Sequence, residues 1–126
     1  MVFIHGLFGS LSNLGMLARH FLEQTTTVQI DVRNHGLSSH SDEVNYQIMA
    51  EDILETLASL NIKKFIAVGH SMGGKIAMKL ADLASDLIEK LVVLDICYYV
   101  RCKFYYSSSA FGNTSILWPC HATHSR

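Results

Sequence analysis

One short stretch of this chain carries a nucleophile in a setting that could activate it. It is Gly69-His70-Ser71-Met72-Gly73-Gly74-Lys75, directly after the apolar run Phe65-Ile66-Ala67-Val68. Its centre reads Gly-x-Ser-x-Gly at a predicted strand-to-helix turn. At such a turn the backbone reverses so tightly around the serine that the residues two away on each side must be very small. The hydroxyl is then held at the carboxyl end of a strand, beside a helix N-terminus whose N–H groups can stabilise an oxyanion. The chemistry this suits is attack by Ser71 on an acyl carbon. The bland alternative is a serine in an ordinary glycine-rich βα turn.

A rival chemistry uses the same residues. Gly69-x4-Gly74-Lys75 fits the first part of a phosphate-binding loop, and Leu91-Val92-Val93-Leu94-Asp95 resembles an apolar strand ending in a magnesium-binding Asp. That loop needs a hydroxyl after the Lys to ligand the metal. Position 76 is Ile, and a branched alkyl group cannot replace the oxygen.

The elements that must position Ser71 are readable from periodicity. Val2–Ile4 is a predicted strand leading into His5-Gly6. Leu11–Leu22 is a predicted helix, with Leu14, Leu17, Ala18, Phe21 and Leu22 on one face. Residues 26–32 form a second β-branched strand, ended by Arg33-Asn34-His35-Gly36. Asn45–Leu60 is the clearest helix, with Tyr46, Met49, Ile53, Leu57 and Leu60 at three- and four-residue steps. Phe65–Val68, Gly74–Ala84 and Leu91–Ile96 follow as strand, helix and strand. Alternating strands and helices predict an α/β protein with a parallel sheet of about four strands and flanking helices. In such sheets function gathers at the carboxyl ends of the strands. The polar segments after all four strands, Asp95 included, would then share one edge.

Composition bounds the rest. At 126 residues and 49% hydrophobic content the chain holds at most one domain with a real core. A net charge of −1 gives no hint of nucleic acid or of an anionic membrane surface as partner. No apolar run approaches the roughly 20 residues that span a bilayer. The N-terminus lacks the features of a signal peptide, so the expected setting is cytoplasmic. Residues 1–96 carry 7 Lys and Arg against 11 Asp and Glu, a net of −4, and no Cys or Pro. Residues 97–126 carry three basic residues, no acid, all three cysteines (Cys97, Cys102, Cys120) and the sole proline. Periodicity fades at the same point.

Six blocks in order resemble the α/β-hydrolase fold, and more narrowly the small bacterial acyl esterases and abhydrolase-domain proteins. They are His5-Gly6-Leu7-Phe8-Gly9-Ser10, Asn13-Leu14-Gly15, Asp31-Val32-Arg33-Asn34-His35-Gly36-Leu37-Ser38, Met49-Ala50-Glu51-Asp52, residues 69–75, and Leu91–Ile96. The resemblance covers residues 2–96. It implies a partial α/β-hydrolase fold and hydrolysis of a small-molecule acyl ester or thioester, with Ser71 as nucleophile and no cofactor. It further implies an oxyanion hole from the N–H groups of Leu7 and Met72. His5 is expected to brace its loop, His70 to support the turn, and Arg33, Asn34 and His35 to form a hydrogen-bonded loop. Gly36 is expected in a backbone shape that a side chain would hinder. Asp95 is the candidate acid; the alternative is a carboxylate that caps a strand end.

The family's chain order is Ser, acid, His, and no element after Asp95 supplies the last strand and its His. The expectation is therefore two segments, 1–96 as the N-terminal part of a hydrolase domain and 97–126 as a divergent, irregular tail. A shifted reading frame would account for the tail. A genuine short ending that returns His121 or His124 to Ser71 is the alternative. Cys97, Cys102, Cys120, His121 and His124 supply zinc-ligand types at poor spacing, and no metal is assigned. Both sheet edges would lack neighbours, which invites self-association. The expected function is a serine esterase or thioesterase impaired by the missing His; the alternative is a non-catalytic remnant or binding module.

Overall fold

Three apolar residues at the start, Val2–Ile4, form strand β1, and every other strand is placed relative to it. The computed structural model describes residues 1–95. The tail, with Ile96, the three cysteines, His121 and His124, lies outside the described residues. Strand β2 is Val28–Ile30, β3 is Phe65–His70 and β4 is Ile88–Leu94. They form one parallel sheet in the order β2-β1-β3-β4. Val2 pairs with both Val28 and Ala67, and Gly69 with Val93.

Successive residues of a strand point to opposite faces, and the core divides accordingly. Val2, Ile4, Phe65, Ala67, Leu91 and Val93 face helices α2 (Tyr46–Ser59) and α3 (Met72–Leu83). Phe3, Val68 and Val92 face the other way, toward Leu14, Leu17 and Ala18 around helix α1 (Gly15–His20). Ile53, Leu57, Ile76 and Leu80 are almost wholly buried. Each such side chain contributes about 1.5–3 kcal/mol relative to exposure.

Helix α2 has both ends fixed by sequence. The Asn45 side chain accepts a hydrogen bond from the Ile48 N–H at 2.9 Å, an N-cap. At the other end Asn61 takes a φ of 59°, and the Ile62 N–H reaches back to the Leu57 carbonyl at 2.9 Å.

Several element boundaries differ from the sequence expectation, β3 among them, which runs on from Val68 to His70. The helix expected over Leu11–Leu22 is a 3-10 turn (Leu11–Leu14) followed by α1, which stops at His20. Three of its first five residues are polar or glycine, and Ser10 and Asn13 hydrogen-bond locally. The strand expected over residues 26–32 shortens to Val28–Ile30, because Asp31 and Val32 leave the ladder to bond the loop after β1. Helix α3 starts at Met72 rather than Gly74, directly after the Ser71 turn. Strand β4 starts at Ile88 rather than Leu91, its exposed Glu89 and Lys90 having masked the apolar pattern, and ends at Leu94.

Candidate active site

Ser71 joins β3 to α3 with φ 51° and ψ −113°, a left-handed backbone that non-glycine residues rarely adopt. Its neighbours show why it is tolerated. A Cβ on Gly69 would collide with the Gly73 carbonyl, and one on Gly73 with the Ile4 carbonyl. The two glycines let β3, α3 and β1 approach to backbone contact, and the chain can turn only at Ser71. The Ser71 N–H is anchored to the Leu94 carbonyl at 2.9 Å, and the Ser71 carbonyl accepts from the Gly74 N–H at 3.0 Å.

The same strain recurs after each strand. Among the described residues five non-glycine residues have positive φ, and four of them follow a strand at the carboxyl edge: Phe8, Asn34, Ser71 and Asp95. Backbone strain of this kind costs about 1–3 kcal/mol per residue and gathers at functional sites. All the expected segments are thus brought to one edge.

Leu7 lies in the turn after β1, closed by a Gly9 N–H to Gly6 carbonyl hydrogen bond of 3.0 Å. Leu7 and Phe8 are exposed. Among the described residues neither the Leu7 nor the Met72 N–H donates to a backbone carbonyl. His5 is buried. Its Nδ1 lies 2.7 Å from the Gly6 carbonyl, which can only accept, so Nδ1 carries the proton. Its Nε2 accepts from the Val32 N–H at 3.2 Å. Both ring nitrogens are therefore spent on backbone, as the bracing role requires.

The loop after β2 is hydrogen-bonded throughout. Asn34 exchanges hydrogen bonds with Ser41, 2.9 Å from its Nδ2 and 2.7 Å to its Oδ1. The Arg33 guanidinium grips both Asp52 oxygens, with Nε at 2.5 Å and a terminal nitrogen at 2.6 Å, and donates to the Glu43 carbonyl. The hydrogen bond to Asp52 holds the guanidinium above its ordinary range. His35 donates from Nδ1 to the Arg33 carbonyl at 3.0 Å. Gly36 has φ 54°, and a Cβ there would strike the Asp31 carboxylate, so the expected backbone shape is present.

Asp95 follows β4 at the same edge, its carboxylate 90% exposed and 3.8 Å from His70 Nε2. That imidazole also packs on the β1 turn, where a Cβ on Gly6 would sit 2.9 Å from its Nδ1.

Sequence reasoning missed two groups. Asp31 and Asp52 entered only as members of matching blocks, although each carboxylate holds a loop. Asp31, a carboxylate ending an apolar strand in front of a glycine-containing turn, was the available signal. The other omission is a groove of about 700 Å³ beside the turn, walled by Leu7, Phe8, Val44, Tyr46, Met49 and Met72. Lys75 Nζ stands 5.6 Å from the centre of the Tyr46 ring.

This sheet order, with a strained serine between β3 and α3, is that of the α/β hydrolases, and the comparisons agree. The α/β-hydrolase fold family matches residues 1–111. The chain is 51% identical over 104 residues to an esterase, YbfF, of Escherichia coli, covering 80% of this chain and 41% of that protein. It is 46% identical over 98 residues to the sn-1-specific diacylglycerol lipase ABHD11 of Danio rerio, covering 76% of this chain and 31% of the lipase. A marine microorganism esterase of known structure superposes with a TM-score of 0.71 at 40% identity, over 73% of this chain and 35% of that one. The chain belongs to the α/β-hydrolase fold family. It spans about a third to two fifths of the length of the curated relatives it matches. The family match passes the expected boundary at residue 96 by 15 residues. Membership in this family also displaces the phosphate-loop reading, since β3 runs to His70 and α3 starts at Met72, leaving Ser71 alone where a phosphate-cradling loop is needed.

Proposed function

We propose that this chain carries the nucleophile and oxyanion elements of a serine hydrolase acting on carboxylic esters or thioesters. One observation carries the reading: the left-handed Ser71 at the β3–α3 turn; the Met72 N–H that opens α3 and the Leu7 N–H in the turn after β1 have no backbone partner among the described residues. Ser71 Oγ attacks the acyl carbon while those two N–H groups hold the developing oxyanion. The bond to the alcohol or thiol breaks, and water then releases the acyl group from Ser71. Asp95 is the carboxylate we assign to orient the imidazole that takes the Ser71 proton. The apolar groove suits a small acyl group, and the esterase and lipase names of the relatives support the same class. The acidic, cysteine-free residues 1–96 fit a cytoplasmic setting.

The base is the weak point. Among the described residues no histidine nitrogen hydrogen-bonds Ser71 Oγ: His5 is committed on both nitrogens, His35 Nδ1 donates to the Arg33 carbonyl, and His70 Nε2 lies 3.8 Å from Asp95. We therefore infer a nucleophile that reacts slowly. A fluorophosphonate probe tests this on the whole chain. Slow labelling that disappears in Ser71→Ala is the expected result. No labelling at all would leave a non-catalytic binding module, and rapid turnover of p-nitrophenyl acetate would overturn the impairment. Among the described residues β2 and β4 each pair on one side alone, and we propose self-association through these edges. Light scattering that reads a monomer at tens of micromolar would contradict it.

A further inference from the structure

The turn after β1, which presents the Leu7 N–H, is held at both ends by one dipeptide, Asp31-Val32, directly after β2. At its start the His5 ring joins the Gly6 carbonyl to the Val32 N–H. At its end the Leu11 N–H donates to Asp31 Oδ1 at 2.6 Å. The other Asp31 oxygen accepts from the Leu37 N–H at 3.0 Å, and the Asp31 carbonyl accepts from Ser38 Oγ at 2.6 Å. The carboxylate is 7% exposed and lies 3.9 Å from His5 Nε2. Gly36 leaves the space it fills. Opposite walls of the groove thus meet at a single carboxylate: Leu7, Phe8 and Gly9 on one side, and Asn34, His35 and Gly36 on the other.

We propose that Asp31 is a positioning residue that sets the Leu7 N–H and couples it to the loop after β2. The proposal rests on the hydrolase reading for its catalytic consequence but not for its structural content. A carboxylate offers two acceptor oxygens, and Asp31 spends one on each loop. An amide in its place offers one acceptor and turns a donor toward the other N–H. One loop must then release. A displacement of about 1 Å in a group that contacts the reacting atoms costs on the order of 100-fold in rate.

The test compares Asp31→Asn and Gly36→Ala with the unaltered chain by amide hydrogen exchange and fluorophosphonate labelling. In Asp31→Asn, exchange at the hydrogen-bonded Gly9 and Leu11 amides of the turn is expected to rise about tenfold or more, with Val68 and Ile76 unchanged. Labelling of Ser71 falls about 10–100-fold. Gly36→Ala presses on the carboxylate from the far loop and touches neither Leu7 nor Leu11. It is expected to raise exchange at the same Gly9 and Leu11 amides. Exchange confined to residues 33–38 in Gly36→Ala overturns the coupling. A uniform rise across Val68 and Ile76 in both variants also overturns it, since the residue would then serve stability alone. If the unaltered chain does not label but exchange follows the expected pattern, the hydrolase reading falls and the coupling stands.

Discussion

Ser71 stands between two neighbours of opposite character. On its β1 side every turn is tied down by buried polar groups. His5 spends both nitrogens on backbone, Asp31 holds two loops, and Gly73 brings α3 into contact with the Ile4 carbonyl. On its β4 side one residue, Asp95, projects a carboxylate that is 90% exposed and lies beyond hydrogen-bonding distance of His70. The proposed oxyanion side of the site is therefore built within residues 1–95. The proposed acid–base side has Asp95 but, among the described residues, no histidine hydrogen-bonded to Ser71.

This contrast can be broken most directly at Gly73. Gly73→Ala places a methyl against the Ile4 and His5 carbonyls, which are backbone and cannot swing aside. The expected loss is about 3 kcal/mol, the upper end for overpacking, read from the urea midpoint. A loss under about 1 kcal/mol would mean that the β1 side yields easily, and the contrast would fail. Next in size is the pair His5→Ala and His70→Ala. Removing the buried His5 ring orphans the Val32 N–H and costs about 2 kcal/mol. Removing the half-exposed His70 ring costs about 0.5 kcal/mol. Equal losses would show that the two sides are held alike. Asn45→Ala, which deletes the cap of α2, follows at about 1 kcal/mol on the same assay.

The legible part of this molecule is the part whose cause is local. Gly69 and Gly73 are read correctly because the Ser71 turn forces both positions at once, within five residues. Asn45 and the α2 face are legible because caps and helical periodicity are short-range. The β1-side ties are not. Asp31 lies 20 residues from Leu11 and 6 from Leu37, and nothing in its surroundings says that one carboxylate will serve both. The same long-range demand pulled Asp31 and Val32 out of β2 and shortened it. Gly15, inside an apolar-periodic stretch, opens α1 where one longer helix is expected. Glu89 and Lys90 hid the start of β4, because a strand with its sides differently exposed breaks the apolar run that sequence reading relies on.

The smallest expected stability effect is also the sharpest probe of the β4 side. Asp95→Asn keeps the shape of the side chain, and Asn accepts a left-handed backbone at least as readily as Asp, so φ 48° is no obstacle. An exposed contact at 3.8 Å contributes little, and the urea midpoint is expected to move by less than about 0.5 kcal/mol. Labelling of Ser71 reports a different quantity. Acid–base assistance is worth about 10²–10⁴-fold, so a fall of about 100-fold with stability unmoved would show that Asp95 orients a base supplied from outside residues 1–95. No change in either would make Asp95 a strand-end carboxylate and remove it from the site. A stability loss above about 1 kcal/mol would show that the β4 side is as firmly tied as the β1 side.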